Sequence, residues 1–186
     1  KVIELDPDRS AVLFAHTQQR LAAAGFVQYE ISNYARSEEL RAKHNLVYWD
    51  ATKEYVSFGP SAHEYLAGGR AWNVSSLEQY GRMIREGCLP RIAEERLDAE
   101  QQQTETLYLQ LRSTGIDLMA FQGRFGVDLM AEPETTSLIA DGMMQVIYEG
   151  RRLALTAQGY RFCDGIVTRL LSRLEGEPRT ASFVLT

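Results

Sequence analysis

The first apolar pattern in the chain is helical. Val12, Leu13, Phe14 and Leu21 fall on one stripe with the Ala22-Ala23-Ala24 run, and the stripe stops at Gly25. Asp6-Pro7-Asp8 opens it, because proline fits the first turn and carboxylates suit the positive end of the helix dipole. The residues before Asp6 read as a strand end. Phe26 to Ser32 alternates in part and is rich in β-favouring types, which predicts a strand. A helix that feeds a strand through one glycine is half of a βαβ unit. A parallel sheet or barrel edge is therefore expected.

Residues 33–45 are polar and charged and predict a long connection, a length at which loops are often functional. Leu46–Trp49, Tyr55–Phe58 and Arg70–Asn73 follow as short strand-like pieces. Asp50–Lys53, Gly59–Ser61 and Gly68-Gly69 supply turns between them. Ser75 and Glu78 have the capping-box spacing and predict a helix to about Glu86, closed by Gly87.

The stretch 89–97, with Pro90 and four charges, reads as a linker. Asp98 then caps a helix, with Gln101 three residues on and Leu107, Tyr108 and Leu111 as its apolar face. A shorter helix follows Asp117 and ends at Gly126, and another spans about Glu132–Met144. Gln145–Tyr148 and Arg152–Leu155 form a tight hairpin around Glu149-Gly150-Arg151, and Thr156 caps a last helix to about Leu174. Three helices, a hairpin and a closing helix follow the order of a winged-helix module.

Composition narrows the class. The 186 residues are 45% hydrophobic and 24% charged, as in one globular domain or two small ones. No run approaches the ~18 apolar residues of a membrane helix, and the first residues lack the apolar core of a secretory signal. The two cysteines, Cys88 and Cys163, are too far apart for a zinc ribbon or an iron–sulfur ligand set, and fit a reducing cytoplasm. Residues 1–97 carry 12 basic and 13 acidic side chains, and residues 98–186 carry 8 and 12. Neither half has the basic surplus that drives nucleic-acid binding.

Chemistry concentrates in His44-Asn45-Leu46-Val47-Tyr48-Trp49. A neutral imidazole can ligate haem iron, and large aromatics can cover a flat porphyrin. A lone histidine beside aromatics is, equally, often a hydrogen-bonded packing residue. Tyr29-Glu30-Ile31-Ser32-Asn33 ends the predicted strand, where α/β folds bind ligands, so Tyr29, Glu30, Ser32 and Asn33 are candidate pocket residues. The competing reading pairs Glu30 with an arginine and puts Asn33 in an Asx-turn. Phe58-Gly59-Pro60-Ser61-Ala62-His63 is a small-residue turn that permits close backbone approach, which adds Gly59, Ser61 and His63. It lacks the lysine of a phosphate loop. His16 reads as a solvated mid-helix residue. Arg151 and Arg152 lie on the predicted wing, either as DNA contacts or as a solvated turn.

Taken together, Gln28–Asn33, His44-Asn45-x-x-Tyr48-Trp49, Tyr55-Val56-x-Phe58-Gly59-Pro60-Ser61-Ala62-His63 and Arg70-x-Trp72-Asn73 resemble the HemN/HemW family of oxygen-independent coproporphyrinogen III oxidase-like radical SAM proteins. Leu109-x-Leu111-Arg112-x-x-x-Gly115-Ile116 and Leu153-x-Leu155-Thr156-x-x-Gly159 resemble that family's C-terminal domain. The His-Asn-x-x-Tyr-Trp motif is similar to that of the haem-chaperone branch. The resemblance implies haem contact at His44, Asn45, Tyr48 and Trp49, with His44 on the iron. It implies haem transfer to haem-requiring respiratory proteins, or alternatively dehydrogenation of coproporphyrinogen III. The family's CxxxCxxC motif for a [4Fe-4S] cluster and its S-adenosylmethionine segment are absent from these residues, and Ser57 stands where a glycine is expected. The implied fold is α/β: the C-terminal part of a partial (β/α) barrel over 1–88, the linker 89–97, a mainly α winged-helix-like domain over 98–174, and a tail over 175–186. Barrel strand edges left open in such a piece lead us to expect a homodimer.

Overall fold

The computed structural model describes residues 6–174; the expected strand end before Asp6 and the tail 175–186 lie outside them. The described residues form two compact units, the first from 6–42 and 106–174 and the second from Lys43–Glu105.

The first unit opens with α1 (Pro7–Ala23), whose start is set by the Asp6 carboxylate accepting from the Asp8 and Arg9 amides at 3.0 and 3.1 Å. Gly25 takes φ +80° and turns the chain, as its place after the stripe predicts. The next strand is much shorter than expected and is not parallel. β1 (Val27–Gln28) pairs antiparallel with β2 (Tyr34–Ala35), with Val27 opposite Ala35. The backbone folds back within five residues, held by Asn33 donating to the Glu30 carboxylate. That local hydrogen bonding wins over the β-propensity of Ile31.

The rest of this unit follows the expected order. α4 (Ala99–Leu111) starts within the second unit and continues into this one; at its start Asp98 and Gln101 cap each other, the Gln101 amide donating to Asp98 at 2.8 Å and the Asp98 amide to Gln101 at 2.9 Å. α5 (Leu118–Phe125) begins at Asp117, which accepts from the Ala120 amide at 3.0 Å, and ends at Gly126 with φ +72°. α6 (Pro133–Ala140) is shorter than predicted, because Met144 already belongs to a strand. β6 (Ile116–Asp117), β7 (Met144–Ile147) and β8 (Arg152–Leu155) form an antiparallel sheet of order β6-β8-β7. The last helix, α7 (Cys163–Leu174), starts later than a cap at Thr156 predicts: Thr156 instead accepts the Gly159 amide at 3.0 Å, ahead of a short 3-10 turn, Gly159–Phe162, that leads into α7. Leu107, Leu111, Ile116, Leu138, Leu153 and Val167 are all fully buried in one core. At roughly 1.5–3 kcal/mol per fully buried large aliphatic side chain, such a cluster is the main source of this unit's stability.

The second unit holds α2 (Lys43–Trp49), β3 (His63–Leu66), β4 (Gly69–Asn73), α3 (Leu77–Arg85) and β5 (Arg91–Arg96), with an antiparallel sheet of order β3-β4-β5. Ala67 and Gly68, at φ 49° and 73°, make the two-residue turn between β3 and β4. Four expectations change here. Leu46–Trp49 is helix, not strand. Of Tyr55–Phe58, only Tyr55 is bridged, to Tyr65. The cap of α3 is Ser76, accepting from the Gln79 amide at 3.3 Å, one residue later than the predicted Ser75. The stretch expected as a linker carries β5, whose residues pair with β4 from Gly69–Arg96 to Asn73–Arg91. Every strand pair among the described residues is antiparallel, so the α/β class holds as a mixture of helices and strands.

Candidate functional site

In the second unit, the short helix α2 sorts the densest chemical motif by its 3.6-residue period. His44 and Tyr48 are one turn apart on one face, and both are exposed, Tyr48 at 42%. The Tyr48 hydroxyl and His44 Nε2 are 3.2 Å apart, with the two rings edge to face at 4.9 Å. Asn45 and Trp49 are half-buried. Asp50 ends the helix by accepting from the Thr52 amide at 3.0 Å and the Thr52 hydroxyl at 2.7 Å. Tyr48 also meets Tyr55 edge to face at 4.8 Å, and Tyr55 lies 6.4 Å from Tyr65, with which it exchanges two backbone hydrogen bonds of 3.0 Å. The result is a continuous row of four rings, from His44 through Tyr48 and Tyr55 to Tyr65. Burial pushes the Tyr55 hydroxyl above its ordinary value, so it stays protonated and neutral. Sequence reading missed Tyr55 and Tyr65 as members of this row. The signal was the density of aromatics between positions 48 and 72.

The small-residue turn of the same unit is held by backbone contacts. Gly59 donates its amide to the Tyr80 hydroxyl and accepts from the Asn73 side chain, both at 3.0 Å. Its φ of +99° is one that glycine adopts without strain. Ser61 donates its amide to Val74 at 3.0 Å. His63 stacks on Trp72, with ring centres 5.8 Å apart. Ser57 donates its hydroxyl to Glu64 at 3.1 Å.

In the first unit, Tyr29, Glu30, Ser32 and Asn33 sit on the β1–β2 turn. Tyr29 is buried, and its hydroxyl accepts the Ala42 amide at 3.1 Å beneath the Arg41 guanidinium. Glu30 is buried and takes the Asn33 amide, which is a structural pairing of the two candidates with each other. Ser32 is exposed. Tyr29 alone of these four lines a cavity of about 390 Å³, shared with Tyr34, Arg41, Gln28 and Tyr160. Gln18 braces one wall, donating to Gln28 at 2.8 Å and to the Ala157 carbonyl at 2.7 Å. Arg41 pairs with Glu38 at 3.1 Å, and Tyr148, in the turn after β7, reaches Glu38 at 3.4 Å.

The wing arginines are both engaged. Arg151 bonds Asp117 at 3.0 Å, and Arg152 donates to the Thr114 hydroxyl and to the Thr114 and Gly115 carbonyls. The Ala120 amide first, and Arg151 with it, hold the Asp117 carboxyl below its usual range. Cys88 is exposed and Cys163 buried, and among the described residues no group of three or more His, Cys, Asp or Glu could hold a metal ion. Two cysteines so placed do not fit a [4Fe-4S] ligand set. Among the described residues, no helix is long and apolar enough to cross a membrane.

Comparison with known proteins adds the family context. Residues 97–162 match the model of the HemN C-terminal domain. The chain is 36% identical over 168 residues to the heme chaperone HemW of Mycobacterium tuberculosis (strain CDC 1551 / Oshkosh), covering 89% of this chain and 40% of that protein. It is 33% identical over 123 residues to the heme chaperone HemW of Bacillus subtilis (strain 168), covering 66% of this chain and 32% of that one. The chain thus spans about two fifths or less of the length of these relatives. In fold it is similar to coproporphyrinogen III oxidase (HemN) from Escherichia coli, a radical SAM enzyme, with a TM-score of 0.64 and 18% identity over 89% of this chain and 42% of that one. The ordered motifs, the matched domain and these relatives agree, and the chain belongs with the HemN/HemW family as a HemW-like C-terminal portion.

Proposed function

We propose that this chain is the haem-holding part of a HemW-like haem chaperone. The His44 imidazole ligates the iron, and Asn45, Tyr48 and Trp49 border the porphyrin. The haem is cargo, passed on in the cytoplasm to haem-requiring respiratory proteins. The observation that carries this reading is an exposed histidine on α2 with an edge-to-face tyrosine one turn away. Imidazole supplies the iron ligand and the aromatic row an apolar surface against which a porphyrin can bury area. Similarity to two proteins named as heme chaperones supports it. A [4Fe-4S] cluster and S-adenosylmethionine belong, on this reading, to the longer relatives' remaining length, and a homodimer is its expected assembly. Radical chemistry on coproporphyrinogen III, the alternative, has a likeness of fold in its favour. Nucleic-acid binding through the wing has its two arginines tied to Asp117 and to Thr114 and Gly115.

Haem titration followed by visible absorbance tests the proposal. The unmodified chain should give a saturable Soret change, and His44→Ala should lose it. Superimposable titrations of the two proteins would remove His44 from the iron.

A further inference from the structure

The contact between His44 and Tyr48 on α2 bears directly on the cargo site. His44 Nε2 is the imidazole nitrogen farther from the backbone, and its partner is the Tyr48 hydroxyl at 3.2 Å. An iron ligand must offer a free lone pair. If Nε2 is unprotonated, the phenol proton occupies that lone pair; if Nε2 carries the proton, the tautomer must change before the nitrogen can ligate. Either way the hydrogen bond breaks before iron binds. Tyr48 is also held in place. Its ring is edge to face with Tyr55 at 4.8 Å, and Tyr55 is fixed by two backbone hydrogen bonds to Tyr65 in β3.

We propose that Tyr48 is a removable cap on His44: its hydroxyl covers the ligating nitrogen in the haem-free protein and gives way when haem binds, which sets the affinity low enough for release. This rests on the reading of His44 as the iron ligand. It makes Tyr48 a positioning residue with two opposed roles. Its ring adds apolar surface for the porphyrin, while its oxygen competes with the iron. A side-chain hydrogen bond of ordinary net strength is worth about a 3- to 10-fold change in an equilibrium constant.

The experiment compares the intact chain with Tyr48→Phe, Tyr48→Ala and His44→Ala, using ferric haem titration and, without haem, long-range proton–nitrogen NMR of the His44 ring. Tyr48→Phe keeps the ring and removes the oxygen. It should tighten haem binding about 3- to 10-fold, whereas Tyr48→Ala, which loses the ring as well, should not. In the haem-free protein, Tyr48→Phe should move the His44 Nε2 resonance. An unmoved resonance, or unchanged or weaker haem binding by Tyr48→Phe, overturns the cap. If His44→Ala binds haem as well as the intact chain, the ligand reading fails and the cap with it. If only His44→Ala loses haem while Tyr48→Phe matches the intact chain, the ligand stands and the cap alone falls.

Discussion

Tyr160 donates its hydroxyl to the carbonyl oxygen of Ser113 at 2.9 Å, joining the turn before α7 to the chain just after α4 inside the core of the first unit. Both residues are buried. A Tyr160→Phe variant keeps the ring and strands the carbonyl. Leaving a buried polar group unpaired costs about 1–3 kcal/mol. Urea denaturation should show that loss with an unchanged slope against denaturant, and a midpoint equal to that of the unmodified chain would show the bond contributes nothing.

The neighbouring Gly159 is required for a different reason. A Cβ there would run into the Met143 carbonyl oxygen, while a Cβ at Gly123 would meet nothing. Gly159→Ala should therefore destabilise by at least ~1–3 kcal/mol, the usual cost of overpacking. Gly123→Ala, inside α5, should be neutral or stabilising by up to about 1 kcal/mol. Thermal denaturation of the pair separates steric exclusion from a general intolerance of change in this unit.

Alkaline pH should weaken the fold through Cys163. Burial pushes its thiol up to about 11, above the ordinary value of 9.0. Below pH 9 the thiol is protonated whether folded or unfolded, and its neutral form favours the folded state. Between about 9 and 11 the unfolded chain releases the proton and the folded chain keeps it. Stability then falls as pH rises, with a slope approaching about 1.4 kcal/mol per pH unit. Tyr160, whose hydroxyl burial also pushes up, adds to the fall above pH 10. Cys163→Ala should flatten the curve between pH 9 and 10, and an unchanged slope would assign the loss elsewhere. Under native conditions a thiol reagent should modify exposed Cys88 and spare Cys163.

Arg152 should behave as a stabilising residue. One of its nitrogens serves three acceptors on Thr114 and Gly115. Arg152→Ala should lower the unfolding free energy by about 1.5–3 kcal/mol, the range for a hydrogen bond to a charged group, with a matching fall in the denaturant midpoint. A gel-shift assay with duplex DNA at low salt should find no difference between the variant and the unmodified chain, and a loss of DNA binding on Arg152→Ala would restore the wing as a nucleic-acid contact.

The C-terminal region was legible because its signals are local and redundant. The Asp98–Gln101 box, the Asp117 cap, Gly126 and the hairpin around Gly150 each fix one boundary through side chains within a few residues. The region around α2 was not. Val47, Tyr48 and Trp49 are β-favouring types, yet seven residues wind into a helix, with the i,i+4 His44–Tyr48 contact along it and the Asx turn at Asp50 closing it. Ser75 and Ser76 stand side by side with Glu78 and Gln79 behind them, so two capping registers were available. The chain uses the later one. Residues 91–96 lack alternation because β5 is an edge strand with mostly exposed residues, and such strands carry charge that spoils the period-two pattern. At the candidate site, the motif itself was visible in sequence. The aromatics between positions 48 and 72 were dense enough to hint at its ring partners, but that Tyr55 and Tyr65 join the row depends on the bridge between them, which that density does not specify.

The first unit is made of two separated stretches of chain, with residues 43–105 inserted between them. Gln18 bonds to Ala157 and Arg161, 139 and 143 residues further along. During synthesis at about 5–20 residues per second, α1 leaves the ribosome on the order of ten seconds before these partners exist. The unit carrying His44 and Tyr48 is local in sequence and can collapse in that interval, so the order of emergence favours these two residues being in place before the first core closes.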